Sequence, residues 1–350
     1  MQRTVETIIG DTEGVYYEFP VYRLKGNAAG APSAYLQAAL HAGELPGFVA
    51  IHFLMPKLRA AEAEGRLRGN LTIVPTANPI GRAQYLYGDH QGRFHAGTRI
   101  NFNREFPLLE KPDAALLPAD DELTTVDRKL KTRLMKLSLG HDLVLDLHCD
   151  DEGVPYFYVP AALWPAMGDC AGAFGAEAVL IWQDGSDGAF EAAAIHPYLA
   201  SDADLARTVV TTVELRGIAD VERGYAEADA EGLYRLLVAR GVVDDPSLPP
   251  AKPFTGLAAP LDNVEMVKAP QAGAVLYDVR PGDRVRAGDR LATIVRAPGD
   301  PDGEIAVTAP QSGYVLTRRS TRVLRAGEDL LKLVGDRPSA ASKKPGSLED

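Results

Sequence analysis

The stretch Ser33-Ala-Tyr-Leu-Gln-Ala-Ala-Leu-His-Ala-Gly-Glu44 decides the fold class of this 350-residue chain. Residues 33–40 read as a buried strand that ends at His41. Beyond the Ala-Gly turn, residues 47–64 read as a helix, because Val49, Phe53, Leu54 and Leu58 recur at roughly helical spacing. Strand, tight turn and helix in that order form the unit from which α/β proteins are built.

The same alternation continues outward. Residues 71–75, 141–149, 156–159, 178–182 and 208–215 read as strands, and 120–139, 161–174, 190–199 and 222–239 as helices. The 120–139 helix is opened by acidic residues and turns basic towards its end, as the helix dipole favours. The pattern predicts a mainly parallel sheet with helices on both faces. Reactive groups in such sheets gather at the carboxyl ends of strands.

The pattern stops near residue 243. Residues 244–261 are rich in proline and read as a linker or extended crossing segment. Residues 262–336 then carry an internal repeat. Ala269-Pro-Gln-Ala-Gly-Ala-Val-Leu276 recurs as Ala309-Pro-Gln-Ser-Gly-Tyr-Val-Leu316, and Arg286-Ala-Gly-Asp-Arg-Leu291 as Arg325-Ala-Gly-Glu-Asp-Leu330. Near-equal offsets predict a small all-β domain with two-fold pseudo-symmetry, similar to the barrel-sandwich of biotinyl and lipoyl carriers. Those carriers place a lysine at the hairpin between halves; residues 297–304 hold none, which argues against a carrier role. The polar tail 337–350 reads as disordered. The chain thus divides into a catalytic domain (1–243), the linker, the β domain and the tail.

Composition narrows the function. A net charge of −11 disfavours a nucleic-acid surface built on phosphate neutralisation. There is no apolar run near 18 residues and no basic-flanked leader, so neither a membrane span nor a signal peptide is expected. Two cysteines are too few for a disulfide framework and fit a reducing compartment, so the expected location is cytoplasmic. A small-molecule partner fits best, and a homo-oligomer remains open.

The chemistry concentrates at strand ends. His41 and Glu44 form a His-x-x-Glu pair that can aim an imidazole and a carboxylate at one cation. A catalytic zinc wants three protein ligands and an open position. Asp146-Leu-His-Cys-Asp150 is the best source of the third, His148. Strand alternation puts Asp146, His148 and Asp150 on one face, so Asp146 can accept a hydrogen bond from the His148 ring. Glu214, at the end of another strand, suits a general base, and is otherwise a surface acid. Asn103 and Arg104 can clamp a carboxylate through directed donors, or simply form a turn. Arg216 shares Glu214's face if alternation holds; it would then read an acidic substrate group or lower the base's pKa, or else be a solvated surface arginine.

His-x-x-Glu, Asn78-Pro79, Asn101-Phe-Asn-Arg-Glu-Phe-Pro107, Asp-x-His and Val213-Glu-x-x-Gly217 occur in an order that resembles the succinylglutamate desuccinylase and aspartoacylase family. The resemblance spans roughly residues 33–240. It implies a carboxypeptidase-like α/β/α sandwich with a mixed sheet, one zinc ion on His41, Glu44 and His148, and Glu214 as base. It also implies a substrate carboxylate on Asn103 and Arg104, and a second, carbonyl-polarising arginine upstream, for which Arg93 and Arg99 are the candidates. The departures are Ala42, where the family usually has glycine, and Arg216, where many relatives have glycine. The implied activity is hydrolysis of an amide in a small N-acylated amino acid bearing a carboxylate. A zinc exopeptidase and a non-catalytic binding protein on the same fold are the alternatives.

Overall fold

Nine strands build one mixed sheet in the protein, whose structure is a computed structural model describing residues 1–183 and 188–340. In chain order they are β1 (Gln2–Ile9), β2 (Tyr16–Leu24), β3 (Ala34–Ala38), β4 (Leu71–Val74), β5 (Leu143–Asp150), β6 (Pro155–Pro160), β7 (Ala178–Trp182), β8 (Val209–Gly217) and β9 (Leu257–Pro260). Their spatial order is β1-β2-β4-β3-β5-β8-β6-β7-β9. The centre, β4-β3-β5-β8, is parallel. The β8–β6 and β2–β4 junctions and the β1–β2 hairpin are antiparallel, which makes the sheet mixed.

Apart from a single turn at Pro79–Arg82, the helices among the described residues are α1 (Pro46–Ala63), α2 (Val126–Ser138), α3 (Gly168–Phe174), α4 (Phe190–Ala200) and α5 (Arg223–Ala239). Proline at the start of α1 suits a position whose N–H has no helical partner, and Ala50, Ile51, Leu54, Leu58 and Ala61 supply the buried stripe. Gly47 lets α1 approach the sheet, because a Cβ there would come within 2.7 Å of the Leu147 Cβ and 3.1 Å of the Ala38 Cβ. Phe190 of α4 packs against Tyr35 with ring centroids 6.1 Å apart. Tyr35 alternates with Ala38 along β3, so α1 and α4 cover opposite faces.

Several boundaries differ from the sequence reading. The helix expected over 120–139 begins at Val126, since the acidic residues before it serve a turn: Glu122 accepts from the Ala119 N–H at 2.9 Å and Asp120 takes Arg133 at 2.9 Å. The helix expected over 161–174 is a short 3-10 turn followed by α3, because Pro165 pushes Trp164 out of helical conformation. Residues 244–261 are more than a linker, since β9 pairs in parallel with β7 and completes the sheet edge.

The β domain consists of two antiparallel four-stranded sheets. One contains Gly273–Tyr277 and Arg290–Val295, the other Gly313–Arg318 and Asp329–Gly335, so repeat-related strands lie in different sheets. Val275, Leu291, Val315, Leu330 and Leu333 fill its core. The two parts are also stitched together, because Glu152–Gly153 pairs with Thr317 and Arg318 and extends a β-domain sheet. The start of the expected disordered tail is held in place, with Arg337 O accepting from Gln311 Nε2 at 3.2 Å; residues 341–350 and 184–187 lie outside the described residues.

Candidate metal centre

His41 and Glu44 leave the sheet through a sharp turn. Ala39, just past β3, adopts φ 58°, a left-handed conformation that is costly for a residue with a Cβ and swings the chain off the strand. The turn closes when Glu44 N donates to His41 O at 2.9 Å. His148 arrives from the neighbouring strand β5, two residues after Asp146 on the same face.

These elements bring together a buried cluster. His41 Nδ1 lies 2.8 Å from Glu44 Oε1, and His148 Nδ1 lies 2.9 Å from Glu44 Oε2. The far sides of both rings are already committed. His148 Nε2 donates to Asp146 Oδ2 at 2.9 Å. His41 Nε2 donates to Asn101 Oδ1 at 2.7 Å, an oxygen identified by its acceptance of the Asn103 N–H. Each Nδ1 of a neutral ring therefore turns a lone pair towards a carboxylate. Acceptors facing acceptors need a proton or a cation between them, so the donor set fits a metal ion. One nitrogen or oxygen atom from each of the three residues lies within 4.8 Å of the others.

Local charge agrees. Burial opposes ionisation of Glu44, but the two imidazoles outweigh it and hold the carboxyl well below its usual range. Burial also opposes a charged His148, yet the Asp146 and Glu44 carboxylates hold its pKa well above that of an ordinary histidine. Burial lowers His41. Asp146 is oriented in turn, as Tyr35 donates to Gln37 at 2.7 Å and Gln37 to Asp146 at 3.0 Å.

Glu214 on β8 stands directly opposite His148 on β5. Its Oε2 is buried with no hydrogen-bond partner among the described residues. Burial first, then the nearby Asp150 charge, push its carboxyl up to about 8. A solvated surface acid would show neither property.

A cavity of about 830 Å³ holds His41, Glu44, His148, Glu214, Asn103, Arg104 and Arg93 in its wall. Arg93 Nη1 lies 3.2 Å from both Glu44 Oε1 and His41 Nδ1. Arg99 is exposed and off the cavity, held at φ 63° in a turn closed by its N–H on His95 O. Of the two candidate arginines, the structure brings only Arg93 to the cluster. Asn103 Oδ1 accepts the Phe190 N–H at 2.7 Å and so anchors the start of α4, while Arg104 Nη1 donates to Asn103 O at 2.7 Å.

Arg216 is a correction. The strand register shifts between Glu214 and Gly217, and Arg216 takes φ 59°. The extra residue breaks alternation. Arg216 consequently leaves the cavity wall, pairs with Asp229 of α5 and stacks 4.6 Å over the Tyr225 ring.

Sequence reasoning missed Asn101, although it sits in the quoted Asn-Phe-Asn motif. It also missed Lys332, which reaches from the β domain to pair with Asp150 and joins Thr317, Arg318 and Leu331 in the cavity wall. No local pattern marks that lysine.

A mixed α/β sheet carries a cation-competent cluster at its strand ends, walled in part by a β domain. Residues 30–240 match the succinylglutamate desuccinylase/aspartoacylase catalytic domain, and the chain belongs to that family. Among solved structures, a succinylglutamate desuccinylase/aspartoacylase family protein from Shewanella amazonensis is 26% identical, with a TM-score of 0.84 over 96% of this chain and 99% of that one. An aspartoacylase family protein from Mesorhizobium loti has a TM-score of 0.68 at 20% identity, covering 96% of each chain. The ectoine utilization protein EutE (DoeB) from Ruegeria pomeroyi has a TM-score of 0.69 at 20% identity, covering 94% of each. These last two share the fold. No curated protein matches the chain. Among the described residues, no helix is long and apolar enough to cross a membrane.

Proposed function

We propose that this protein is a zinc-dependent deacylase that hydrolyses the amide bond of a small, carboxylate-bearing N-acyl amino acid. The observation that carries the reading is the pair of His Nδ1 atoms facing one carboxylate, beside Glu214, whose buried Oε2 has no hydrogen-bond partner among the described residues. Two imidazoles and one carboxylate are a zinc donor set with an open position. When bound, the ion supplies Lewis acidity for the attack of water on the acyl carbon.

The remaining steps belong to the chain. Glu214 takes a proton from the attacking water and returns it to the departing nitrogen, so the acyl product leaves as an acid and the amine leaves neutral. Arg93 directs its guanidinium at the acyl oxygen as that oxygen gains charge. Arg104, set by its bond to the Asn103 carbonyl, receives the substrate carboxylate.

The cavity wall favours a small substrate over a peptide. Thr317, Arg318, Leu330 and Lys332 of the β domain line the same cavity as the metal cluster, and Arg318 and Arg322 pair with Glu152 to hold that wall in place. A long peptide would have to displace it. The test is Glu214→Gln: one zinc per chain should remain bound, while turnover of N-acyl amino acids drops by at least about 10²-fold. Retained turnover removes Glu214 from its role, and equal or better turnover of short peptides by the native protein favours an exopeptidase.

A further inference from the structure

Part of the cavity wall is the face of the large sheet. Along that face, Thr212 of β8 is opposite Asp146 on one side and Tyr158 of β6 on the other. Tyr158 is opposite Leu180 of β7, and Trp182 is two residues further along on the same face. Thr212, Tyr158 and Trp182 all line the cavity. Thr212 is 4% exposed and Trp182 8%. Yet Thr212 Oγ1 and Trp182 Nε1 have no hydrogen-bond partner among the described residues. Buried polar groups in folded proteins are ordinarily paired, and two such groups in one cavity wall point to a ligand that completes them.

We propose that this inner compartment receives the side chain of the substrate's amino-acid half, and that this side chain is uncharged and ends in a carboxamide. The inference rests on the deacylase reading for its placement. With the scissile amide at the metal cluster and the α-carboxylate at Arg104, the remaining substituent on the α-carbon is the part left to meet Thr212 and Trp182, which line the same cavity. The compartment's chemistry then selects it. An indole N–H only donates, so it takes a carbonyl oxygen and rejects an ammonium. A threonine hydroxyl both donates and accepts, and can take the amide N–H₂ of the same group. A carboxylate side chain would meet the Asp146 carboxylate opposite Thr212, and the cation near Tyr158, Lys332, is already paired with Asp150. An aliphatic side chain would fit the walls but leave both polar atoms unpaired. Sites built to hydrogen-bond a substrate discriminate most strongly against analogues that lack the group.

The experiment is calorimetry of the zinc-loaded protein with the free amino acids glutamine, methionine, glutamate and lysine, which report on this half whatever the acyl group. Glutamine should bind at least about tenfold tighter than the other three. Trp182→Phe, which keeps the ring and removes the N–H, should lower the glutamine-to-methionine affinity ratio by about tenfold, and Thr212→Val should lower it too. A glutamine preference that neither variant alters, a preference for another of the four, or binding of none of them overturns the inference. Turnover of the corresponding N-acyl compounds separates this from the function itself. Hydrolysis without a glutamine preference keeps the deacylase and sinks the compartment's role, whereas glutamine binding without hydrolysis of any N-acyl compound does the reverse.

Discussion

Asp146 Oδ2 accepts the Nε2 proton of His148 at 2.9 Å, and this single bond fixes which nitrogen of the ring faces Glu44. Carboxylates behind metal-facing imidazoles set the tautomer and raise ligand basicity. Asp146→Asn should therefore weaken zinc by about 10- to 100-fold in a chelator competition. An unchanged affinity would mean that packing alone orients the ring.

Glu214 gives a pH signature in the metal-free protein. Its folded carboxyl is pushed up to about 8 from an ordinary value of 4.5, by burial and then by Asp150. The folded state thus binds this proton more tightly than the unfolded chain. The contribution is neutral below the unfolded value and costs stability as pH rises from about 4.5 to 8. Other groups titrate here too, so the comparison is with Glu214→Gln. Urea midpoints of the native chain should fall more steeply with pH than those of the variant; parallel slopes would contradict the raised value.

Arg93 and Arg99 separate cleanly. Arg93 is within 3.2 Å of Glu44 Oε1, while Arg99 is an exposed turn residue. Arg93→Ala should lower kcat by about 10²-fold, the usual effect of removing one donor to a developing oxyanion. Arg99→Ala should stay within about twofold of the native enzyme, which is the scale of a distant surface change. Steady-state kinetics that reversed the two would reassign the arginine.

Lys332 and Asp150 form a largely buried ion pair, each with a side chain 17% exposed. Removing one partner strands the other, so Lys332→Met should cost about 3 kcal/mol in denaturant unfolding. Adding Asp150→Asn to that variant should recover part of the loss. If the double variant is no more stable than the single, the cost is not one of an unpaired charge.

The metal cluster was legible because its geometry is local. A strand, a turn and an i, i+3 spacing place His41 beside Glu44, and alternation along one strand places His148 two residues past Asp146 on the same face. The place of Glu214, on a strand end opposite His148, was legible for the same reason. Two residues later the same logic fails at Arg216, since nothing in Leu215-Arg216-Gly217 announces which residue the register skips. Loop cations fared worse: Arg93 and Arg99 differ only through the folded course of residues 93–102. Lys332 was invisible, because its partner Asp150 is 182 positions away and only tertiary structure joins them. The β1–β2 hairpin was unread although its two runs flank the Gly10–Val15 turn.

The strand Leu257–Pro260, reached only after the proline-rich crossing, closes the edge of a sheet begun 250 residues earlier, and Glu152–Gly153 closes part of the other sheet system in return. Each half of the molecule thus lends a strand to the other. Separate expression of residues 1–243 would leave β7 as a bare edge, a template for self-association. The chain should accordingly melt in a single transition, with neither half unfolding ahead of the other.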